Sequence, residues 1–312
     1  MFSLSSSPRE GFTVTTLTTT LREAASRLLH TPALSRVATA AYARTTAVPV
    51  ERESHRCVPG SVTAVAHVAP WLRRLTLHVP GLLGYAVLGP DEYVGLVMPR
   101  PGTELPDLSS ITGPNPRPVI GAMPEEVRPD VRWYTVREWR ADTCELDVEV
   151  VLHPAGDVDE GPGATWVRRA QVGDPLAVQT GSASFPARTG DEVRLVAGDE
   201  TAYPAIAGIL EAARDSGTVL HVFLEVGRDG VLPALAEPER GSLTVLVRGE
   251  RRPGEALLEA VRAADLPTLD HGWVSGEQEL AATLRRHLVG DRGLAKTSVY
   301  FCAYWILGRP RG

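Results

Sequence analysis

The spacing of apolar residues changes part-way along the chain, and this change constrains the fold more than any other feature. Before about residue 190, apolar side chains recur at every second position, as at Leu75, Leu77 and Val79. Beyond it, short apolar runs such as 193–197 alternate with helical segments such as 202–213. A period of two predicts antiparallel strands, and alternating strands and helices predict a doubly wound parallel sheet. We therefore expect an N-terminal antiparallel β-barrel followed by a doubly wound parallel-sheet domain.

The length supports more than one domain, since 312 residues exceed what a single hydrophobic core usually holds. The patterns predict an extension over 1–55, a barrel domain over 56–186 and an α/β domain over 187–312. Within the extension, a capping box and a Thr-Pro pair predict two short helices at about 20–30 and 32–44. These helices can dock on the body, bind a partner or touch a membrane surface.

Composition narrows the class of protein. The net charge of −6 argues against a nucleic-acid partner, because such proteins usually carry a basic surplus. The 3 cysteines lie far apart without metal-ligand spacing, so neither a disulfide framework nor a metal site is expected. No apolar run is long enough to span a membrane, and the N-terminus lacks the features of a secretory signal. We expect a soluble, cytoplasmic protein, with a monomer favoured.

The first candidate site lies in a predicted strand that contains Arg132, Trp133, Tyr134 and Thr135. Alternate side chains share a face, so Arg132 and Tyr134 point one way and Thr135 the other. An arginine fork can neutralise a pyrophosphate, and a tyrosine ring can stack on a flat heterocycle. A twist at the strand end can bring the threonine hydroxyl to a ring nitrogen. The alternative is an ordinary half-buried strand with charged ends.

A second candidate follows the next predicted strand, where a glycine-rich stretch opens a helix. The segment contains Val151 and His153 at the strand end and then Gly163, Ala164, Thr165 and Trp166. Free N–H groups at a helix start attract phosphate, which makes this a candidate phosphate site. His153 is either a phosphate contact or incidental.

A third candidate is the stretch from Gly198 to Ala205, after the first strand of the α/β half. Its position suits a dinucleotide, but the usual glycines are absent. The carboxylates of Asp199 and Glu200 repel phosphate while they suit a helix dipole. A well-capped helix with acidic first-turn residues is therefore the alternative.

Further candidates end the later strands of the α/β half, where a nicotinamide would lie. They are Ser275 and Glu277 at one strand end and Trp305 at another. Arg248, at a third strand end, can reach a ribose 2′-phosphate, or it is a surface arginine. The aromatic residues can equally belong to the core.

Together these segments resemble the siderophore-interacting proteins, FAD- and NAD(P)H-dependent ferric-siderophore reductases with a ferredoxin-reductase-like fold. The resemblance runs from about Val62 to Gly308. It rests on the order and spacing of Arg132-x-Tyr134-Thr135, Leu152-His153, Gly163-Ala164-Thr165-Trp166, Gly173-Asp174, Ala197-Gly198-Asp199-Glu200-Thr201-Ala202, Leu224-Glu225-Val226, Ser275-Gly276-Glu277 and Tyr304-Trp305. The Ala-Gly-Asp-Glu-Thr-Ala stretch is the most specific of these, whereas the arginine-tyrosine-threonine signature is shared among flavin reductases.

The resemblance implies a role for each matched residue. Arg132 would contact the FAD pyrophosphate, Tyr134 would stack on the isoalloxazine and Thr135 would hydrogen-bond near flavin N5, the last two forming the catalytic pair. The rest of FAD would be held by Val151, His153, Gly163, Ala164, Thr165 and Trp166. NADPH or NADH would be lined by Asp199, Thr201, Ala202, Glu225, Arg248, Ser275, Glu277 and Trp305.

Several departures from the family pattern keep other functions open. Pro154 follows the histidine where glycine is usual, Val167 replaces a small residue, and the arginines expected after Trp305 are absent. The first hypothesis is a reductase that acts on a ferric siderophore. The alternatives are a tailoring enzyme of secondary metabolism, a reductase partner of a monooxygenase, or a binding protein without reductase activity.

Overall fold

The computed structural model describes residues 46–152, 161–185, 190–227 and 231–308. The two helices expected at 20–30 and 32–44 and the candidate His153 lie outside the described residues. The described residues form one compact unit, so the two halves of the fold can be described together.

Six antiparallel strands close into a barrel in the order β1-β2-β5-β4-β3-β6. The strands are β1 (Cys57–Ala69), β2 (Leu72–His78), β3 (Tyr93–Met98), β4 (Asp130–Arg140), β5 (Glu145–Val151) and β6 (Pro175–Thr180). The alternating residues Leu75, Leu77 and Val79 are all fully buried in the barrel core. The period of two thus correctly predicted which side chains face inwards.

Two short helices accompany the barrel, α1 (Arg117–Gly121) and α2 (Pro162–Arg169). Helix α2 begins with proline in its first turn, where a missing N–H costs nothing. It buries Trp166 and Val167 in the barrel core and leaves Arg168 and Arg169 exposed. This amphipathic face fixes α2 against the barrel.

Five parallel strands form the second sheet in the order β11-β10-β7-β8-β9. They are β7 (Val193–Gly198), β8 (Val219–Val226), β9 (Gly241–Val247), β10 (His271–Glu277) and β11 (Val299–Trp305). The helices between them are α3 (Tyr203–Ala212), α4 (Glu255–Ala263) and α5 (Gln278–Gly290). Short 3₁₀ turns occupy Pro80–Leu82, Glu125–Val127, Glu200–Ala202 and Lys296–Ser298.

Helices cover both faces of this sheet. Helix α3 packs with Val196 and Leu220 on one face, in a cluster that also includes barrel residue Leu72. Helices α4 and α5 pack with Leu195 and Phe223 on the other face. The doubly wound parallel sheet expected from the sequence is confirmed. Among the described helices, none is both long and apolar enough to cross a membrane.

A buried carboxylate joins the barrel to the sheet. Asp91, just before β3, accepts 2.9 Å hydrogen bonds from the indole N–H of Trp273 on β10 and from the backbone N–H groups of Ser184 and Phe185. Burial raises the pKa of Asp91, while these donors oppose that rise. Strand β10 therefore has a defined position relative to the barrel.

Candidate functional site

Strand β4 and helix α2 meet at one end of the barrel and bring three predicted residues together. A Cβ atom placed on Gly163 would lie 2.2 Å from Tyr134 Oη and 2.7 Å from Arg132 Cγ. Both distances are far below van der Waals contact, so any larger residue at 163 would push α2 away from β4. We call this group of Arg132, Tyr134 and Gly163 the barrel cradle.

Among the residues that the structure describes, no acidic side chain neutralises the positive charge of the barrel cradle. Arg132 is partly buried and donates a 2.7 Å hydrogen bond to the carbonyl of Val131. Within the part of the chain that the structure describes, Arg132 forms no ion pair with a carboxylate. Burial raises the pKa of Tyr134, so its phenol is neutral at physiological pH. A guanidinium beside the start of a helix suits a bound anion, so the cradle fits the pyrophosphate of FAD.

Thr135 faces away from the barrel cradle. It is buried and pairs with Tyr93 of β3. The next residue, Val136, donates its N–H to the carbonyl of Glu92 at 2.7 Å. Tyr93 in turn contacts Trp133 edge-on, with 5.3 Å between the ring centroids. The alternation of faces expected along this strand is therefore present at Arg132, Trp133 and Tyr134.

The other barrel residues predicted to hold FAD occupy mixed environments. Trp166 is buried in the barrel core and Ala164 packs against it, whereas Thr165 is exposed with its hydroxyl 3.2 Å from the carbonyl of Gly161. Val151 ends β5 and packs against the cluster around α3. Their assignment to the cofactor stays a prediction.

At the carboxyl edge of the sheet, the carboxylate of Asp199 is fully buried and accepts four hydrogen bonds. Its Oδ1 accepts from the N–H of Thr201 at 2.9 Å and from the Thr201 hydroxyl at 2.5 Å. Its Oδ2 accepts from the N–H of Glu277 at 2.6 Å and from Nε1 of Trp305 at 2.9 Å. Asp199 therefore links the ends of β7, β10 and β11.

A glycine makes this link possible. Gly276 has a φ of +140°, and a Cβ there would lie 2.5 Å from Oδ2 of Asp199. Only glycine adopts this backbone conformation readily and leaves room for the carboxylate.

Two more carboxylates at the same edge accept hydrogen bonds from the first turns of helices. Glu277 accepts from the N–H groups of Glu279 and Leu280 in the first turn of α5, and its other oxygen accepts from Leu307 N–H at 3.3 Å. Glu225, at the end of β8, accepts from Gly254 N–H at 2.7 Å and from Leu257 N–H at 3.1 Å at the start of α4. Burial is the main cause that raises the pKa of Glu225.

Arg248 follows β9 and forms a two-pronged ion pair with Glu200, at 3.1 Å and 3.0 Å. A second carboxylate, Glu225, lies 3.5 Å from the same guanidinium. We call Asp199, Glu200, Glu225, Arg248 and Glu277 the sheet-edge cluster. It holds four carboxyl groups and one guanidinium.

Burial and a neighbouring negative charge together raise the pKa of one carboxyl group in this cluster. The pKa of Asp199 is raised to about 6, first by burial and then by the charge of Glu200, against the hydrogen bonds that lower it. Asp199 therefore has a proton affinity well above that of an exposed aspartate.

Both halves of the fold match family models. Residues 61–185 match the siderophore-interacting FAD-binding domain, and residues 192–308 match the siderophore-interacting protein model. The chain belongs to the siderophore-interacting protein family.

Curated relatives agree with this assignment. The ferric vibriobactin reductase ViuB of Vibrio cholerae is 29% identical over 246 residues, which cover 78% of this chain and 87% of that protein. An uncharacterised protein of Mycobacterium tuberculosis is 31% identical over 268 residues, which cover 80% of this chain and 89% of the relative.

Solved structures give the same family and fold. A siderophore utilization protein from T. fusca superposes with a TM-score of 0.66 at 26% identity, over 83% of this chain and 96% of that one. The ferredoxin reductase of carbazole 1,9a-dioxygenase shares the fold alone, with a TM-score of 0.55 at 16% identity over 80% of this chain and 70% of that one. This siderophore-interacting protein is thus ferredoxin-reductase-like in architecture.

The remaining predicted residues of the nicotinamide side lie close to the sheet-edge cluster. Ser275 is fully buried next to Gly276 on β10. Ala202 is fully buried between the sheet and the barrel, so its side chain contributes to packing. The structure thus brings the predicted residues together, while their contact with a nicotinamide stays a prediction.

Sequence reasoning missed two contributors to these sites. It treated Glu200 as a helix-start acid and not as the partner of Arg248. The parallel strand order β7-β8-β9 is the signal that would have found the pair, because strand ends two positions apart lie about 10 Å from each other. It also missed Arg73, which donates to the carbonyls of Val167 at 2.5 Å and Ala170 at 2.9 Å at the end of α2.

Proposed function

We propose that this siderophore-interacting protein is an FAD-dependent NAD(P)H oxidoreductase that reduces the Fe(III) of a ferric siderophore. The barrel cradle is the observation that carries the proposal, because it joins an arginine that has no carboxylate partner among the described residues to a helix start where only glycine fits. The names of two relatives, ferric vibriobactin reductase and ferric acinetobactin reductase, support the same reaction.

The chain's own residues bind and orient the cofactor in this proposal. Arg132 and the N–H groups at the start of α2 neutralise the pyrophosphate, since both present donors to an anion. Tyr134 offers a neutral ring to the flat isoalloxazine. Thr135 is buried on the opposite face of β4, so its hydroxyl would reach the N5 edge through a twist of the backbone at this end of the strand. The domain division at about residue 186 and the roles of these residues remain parts of the proposal.

Bound FAD would supply the ability to take two electrons as a hydride and to release them one at a time. The overall reaction oxidises one NAD(P)H and reduces two Fe(III) ions to Fe(II). Iron is the substrate here, carried by a small molecule. Fe(II) binds hard oxygen ligands less tightly than Fe(III), so reduction favours its release from the siderophore. Because NAD(P)H is an intracellular reductant, we place the reaction in the cytoplasm.

At the sheet edge, Asp199 and Glu277 hold the segment from Trp305 to Leu307. Trp305 would thereby present its indole at a constant position on the nicotinamide side. A fixed aromatic side chain lowers the entropic cost of ordering the two ring systems.

Substitution of Arg132 tests the proposed cofactor site. We expect Arg132→Ala to raise the dissociation constant of FAD by about 10- to 100-fold, because a charge-assisted contact is lost. Equilibrium dialysis of FAD against the apoprotein measures this constant. Arg100→Ala is the matched control, since Arg100 pairs with Asp130 on the same strand at 3.5 Å. Unchanged FAD affinity in Arg132→Ala would place the pyrophosphate elsewhere.

A further inference from the structure

The helix starts at the carboxyl edge of the sheet have acidic partners of their own. Glu225 accepts from the first turn of α4, Glu277 accepts from that of α5, and Asp199 caps the 3₁₀ turn before α3. Helix starts of this kind bind the phosphates of dinucleotides in doubly wound sheets. Here buried carboxylates already accept hydrogen bonds from these helix starts, so the helix starts contribute little to the binding of an extra phosphate group on the ribose.

The arginine best placed to accept more negative charge is already paired. The side chain of Arg248 is 15% exposed, and Glu200, its two-pronged partner, is 5% exposed. Glu225, with no exposed side-chain surface, lies 3.5 Å from the same guanidinium. A phosphate group would have to displace or outweigh two buried carboxylates to bind Arg248.

Two other arginines follow Arg248 along the chain, and both are on the surface. Arg251 pairs with Glu259 at 2.8 Å, and Arg252 pairs with Glu279 at 3.7 Å. All four side chains are more than half exposed, so water and salt weaken these pairs. Arg251 and Arg252 are therefore alternative binding sites for a phosphate. Variants at their acidic partners can distinguish phosphate binding there from phosphate binding at Arg248.

We propose that this chain selects NADH over NADPH, and that Glu200 sets the choice by occupying Arg248. The inference rests on the proposed function, which leaves the dinucleotide open. NADPH differs from NADH by a 2′-phosphate on the adenosine ribose, which adds about −1.5 to −2 charges at neutral pH. An arginine near the strand ends accommodates that phosphate in NADP-binding proteins, whereas an acidic side chain favours the free 2′-hydroxyl of NAD.

The charge balance of the sheet-edge cluster matches that of a site that binds NAD through an acidic side chain. Glu200 and Glu225 both lie against the guanidinium of Arg248, and burial followed by the charge of Glu200 raises the pKa of the neighbouring Asp199. A neutral ribose hydroxyl enters such a field at little cost, whereas a phosphate is repelled. Glu200 is the specificity-determining residue because it alone forms the two-pronged pair with Arg248.

The test compares the binding of NAD⁺ and NADP⁺ to the FAD-loaded, oxidised protein by calorimetry and by the change in the flavin spectrum. We expect the unmodified protein to bind NAD⁺ at least about tenfold more tightly. Glu200→Gln keeps the size of the side chain and removes its charge, while Glu225 still accompanies Arg248. The ratio of the NADP⁺ to the NAD⁺ dissociation constant should fall about tenfold in this variant.

Glu259→Gln is the matched control, because it removes the acidic partner of Arg251 on the same side of the sheet. Its ratio should stay within about twofold of the parent ratio. Glu200→Asp is a second variant that keeps the charge and shortens the side chain, and it should shift the ratio in the same direction by a smaller factor.

Tighter NADP⁺ binding by the parent, an unchanged ratio in a folded Glu200→Gln variant, or an equal shift in Glu259→Gln would each overturn the inference. If protein that holds FAD binds neither dinucleotide, the result would contradict NAD(P)H as the reductant. The proposed preference for NADH would then be contradicted as well. Melting temperature and FAD content report whether each variant is folded.

Discussion

At the scale of single residues, the two candidate sites differ in whether the protein itself provides hydrogen-bond or ion-pair partners for their charged groups. Arg132 in the barrel cradle has no acidic partner among the described residues, whereas Asp199 accepts four hydrogen bonds from the protein itself. A charged side chain without a protein partner can bind a ligand. A charged side chain whose hydrogen bonds all go to the protein instead positions the groups that it contacts. Asp199 thus holds Trp305 and the start of α5.

The Asp199–Trp305 contact should respond to pH. Because the pKa of Asp199 is raised to about 6, a proton occupies one acceptor oxygen below that pH. The charged groups around it are Glu200, Glu225, Glu277 and Arg248. We expect the indole ¹⁵N–¹H signal of Trp305, assigned with Trp305→Phe, to titrate with a midpoint near pH 6 and to lose this titration in Asp199→Asn. A signal that stays constant between about pH 5 and pH 7 would contradict this assignment.

The same pKa fixes the sign of a stability effect. A folded-state pKa above the unfolded value of 3.8 means that the folded protein retains a proton that the unfolded chain has lost. The stabilising contribution of the protonated group is therefore complete below about pH 4 and lost as pH rises through about 6. Other groups titrate in the same range, so the difference between the parent and Asp199→Asn isolates this contribution.

The sequence predicted residue types better than residue partners. The sequence predicts FAD contacts for Arg132 and Tyr134 in one segment and for Gly163 in another, and the structure brings the two segments together. The pairing of Arg248 with Glu200 could not be read from the sequence, because it depends on which strand lies between them in the sheet. The four hydrogen bonds that Asp199 accepts likewise depend on the backbone conformation of Gly276.

At the scale of elements, helix α2 is fixed at both ends. Its first turn lies against the barrel cradle through Gly163, and its last carbonyls accept hydrogen bonds from Arg73 of β2. A cation at the carboxyl end of a helix also interacts favourably with the helix dipole. Arg73 is therefore a positioning residue for the helix start that faces the proposed pyrophosphate.

Replacement of Arg73 should loosen this helix. We expect Arg73→Met to lower the free energy of unfolding by about 1–2 kcal/mol, because partly buried carbonyl groups lose their donor. FAD affinity should fall as well, since the helix start is no longer held. Arg169→Met removes an exposed arginine from the last turn of the same helix and should change both quantities little. Chemical denaturation and equilibrium dialysis measure the two effects, and equal behaviour of the two variants would contradict the role of Arg73.

Element types were predictable, and some element boundaries were not. The helix expected over 202–213 begins as the 3₁₀ turn Glu200–Ala202 and continues as α3. A helical period of 3.6 cannot reveal a three-residue turn that depends on an aspartate cap. The strand expected over 272–275 extends over His271–Glu277, because its end is held by the backbone contact to Asp199.

At the scale of the whole molecule, the order of barrel and sheet was predictable because each has its own apolar period. Their contact was not, since the bond from Trp273 to Asp91 joins residues 182 positions apart in the chain. A second link joins Arg137 of β4 to Glu211 of α3, at 2.8 Å and 2.5 Å. These links fix the barrel cradle relative to the carboxyl edge of the sheet.

This arrangement supports a reaction in which a dinucleotide bound at the sheet delivers electrons to FAD bound at the barrel. The most direct test is the visible spectrum of FAD-loaded protein under anaerobic conditions, recorded before and after NADH and then after a ferric siderophore. We predict that the flavin absorption bleaches with NADH, more slowly with NADPH, and returns as Fe(II) appears in a chelator assay. Protein that holds no FAD, or a bound flavin that neither dinucleotide bleaches, would contradict the central claim.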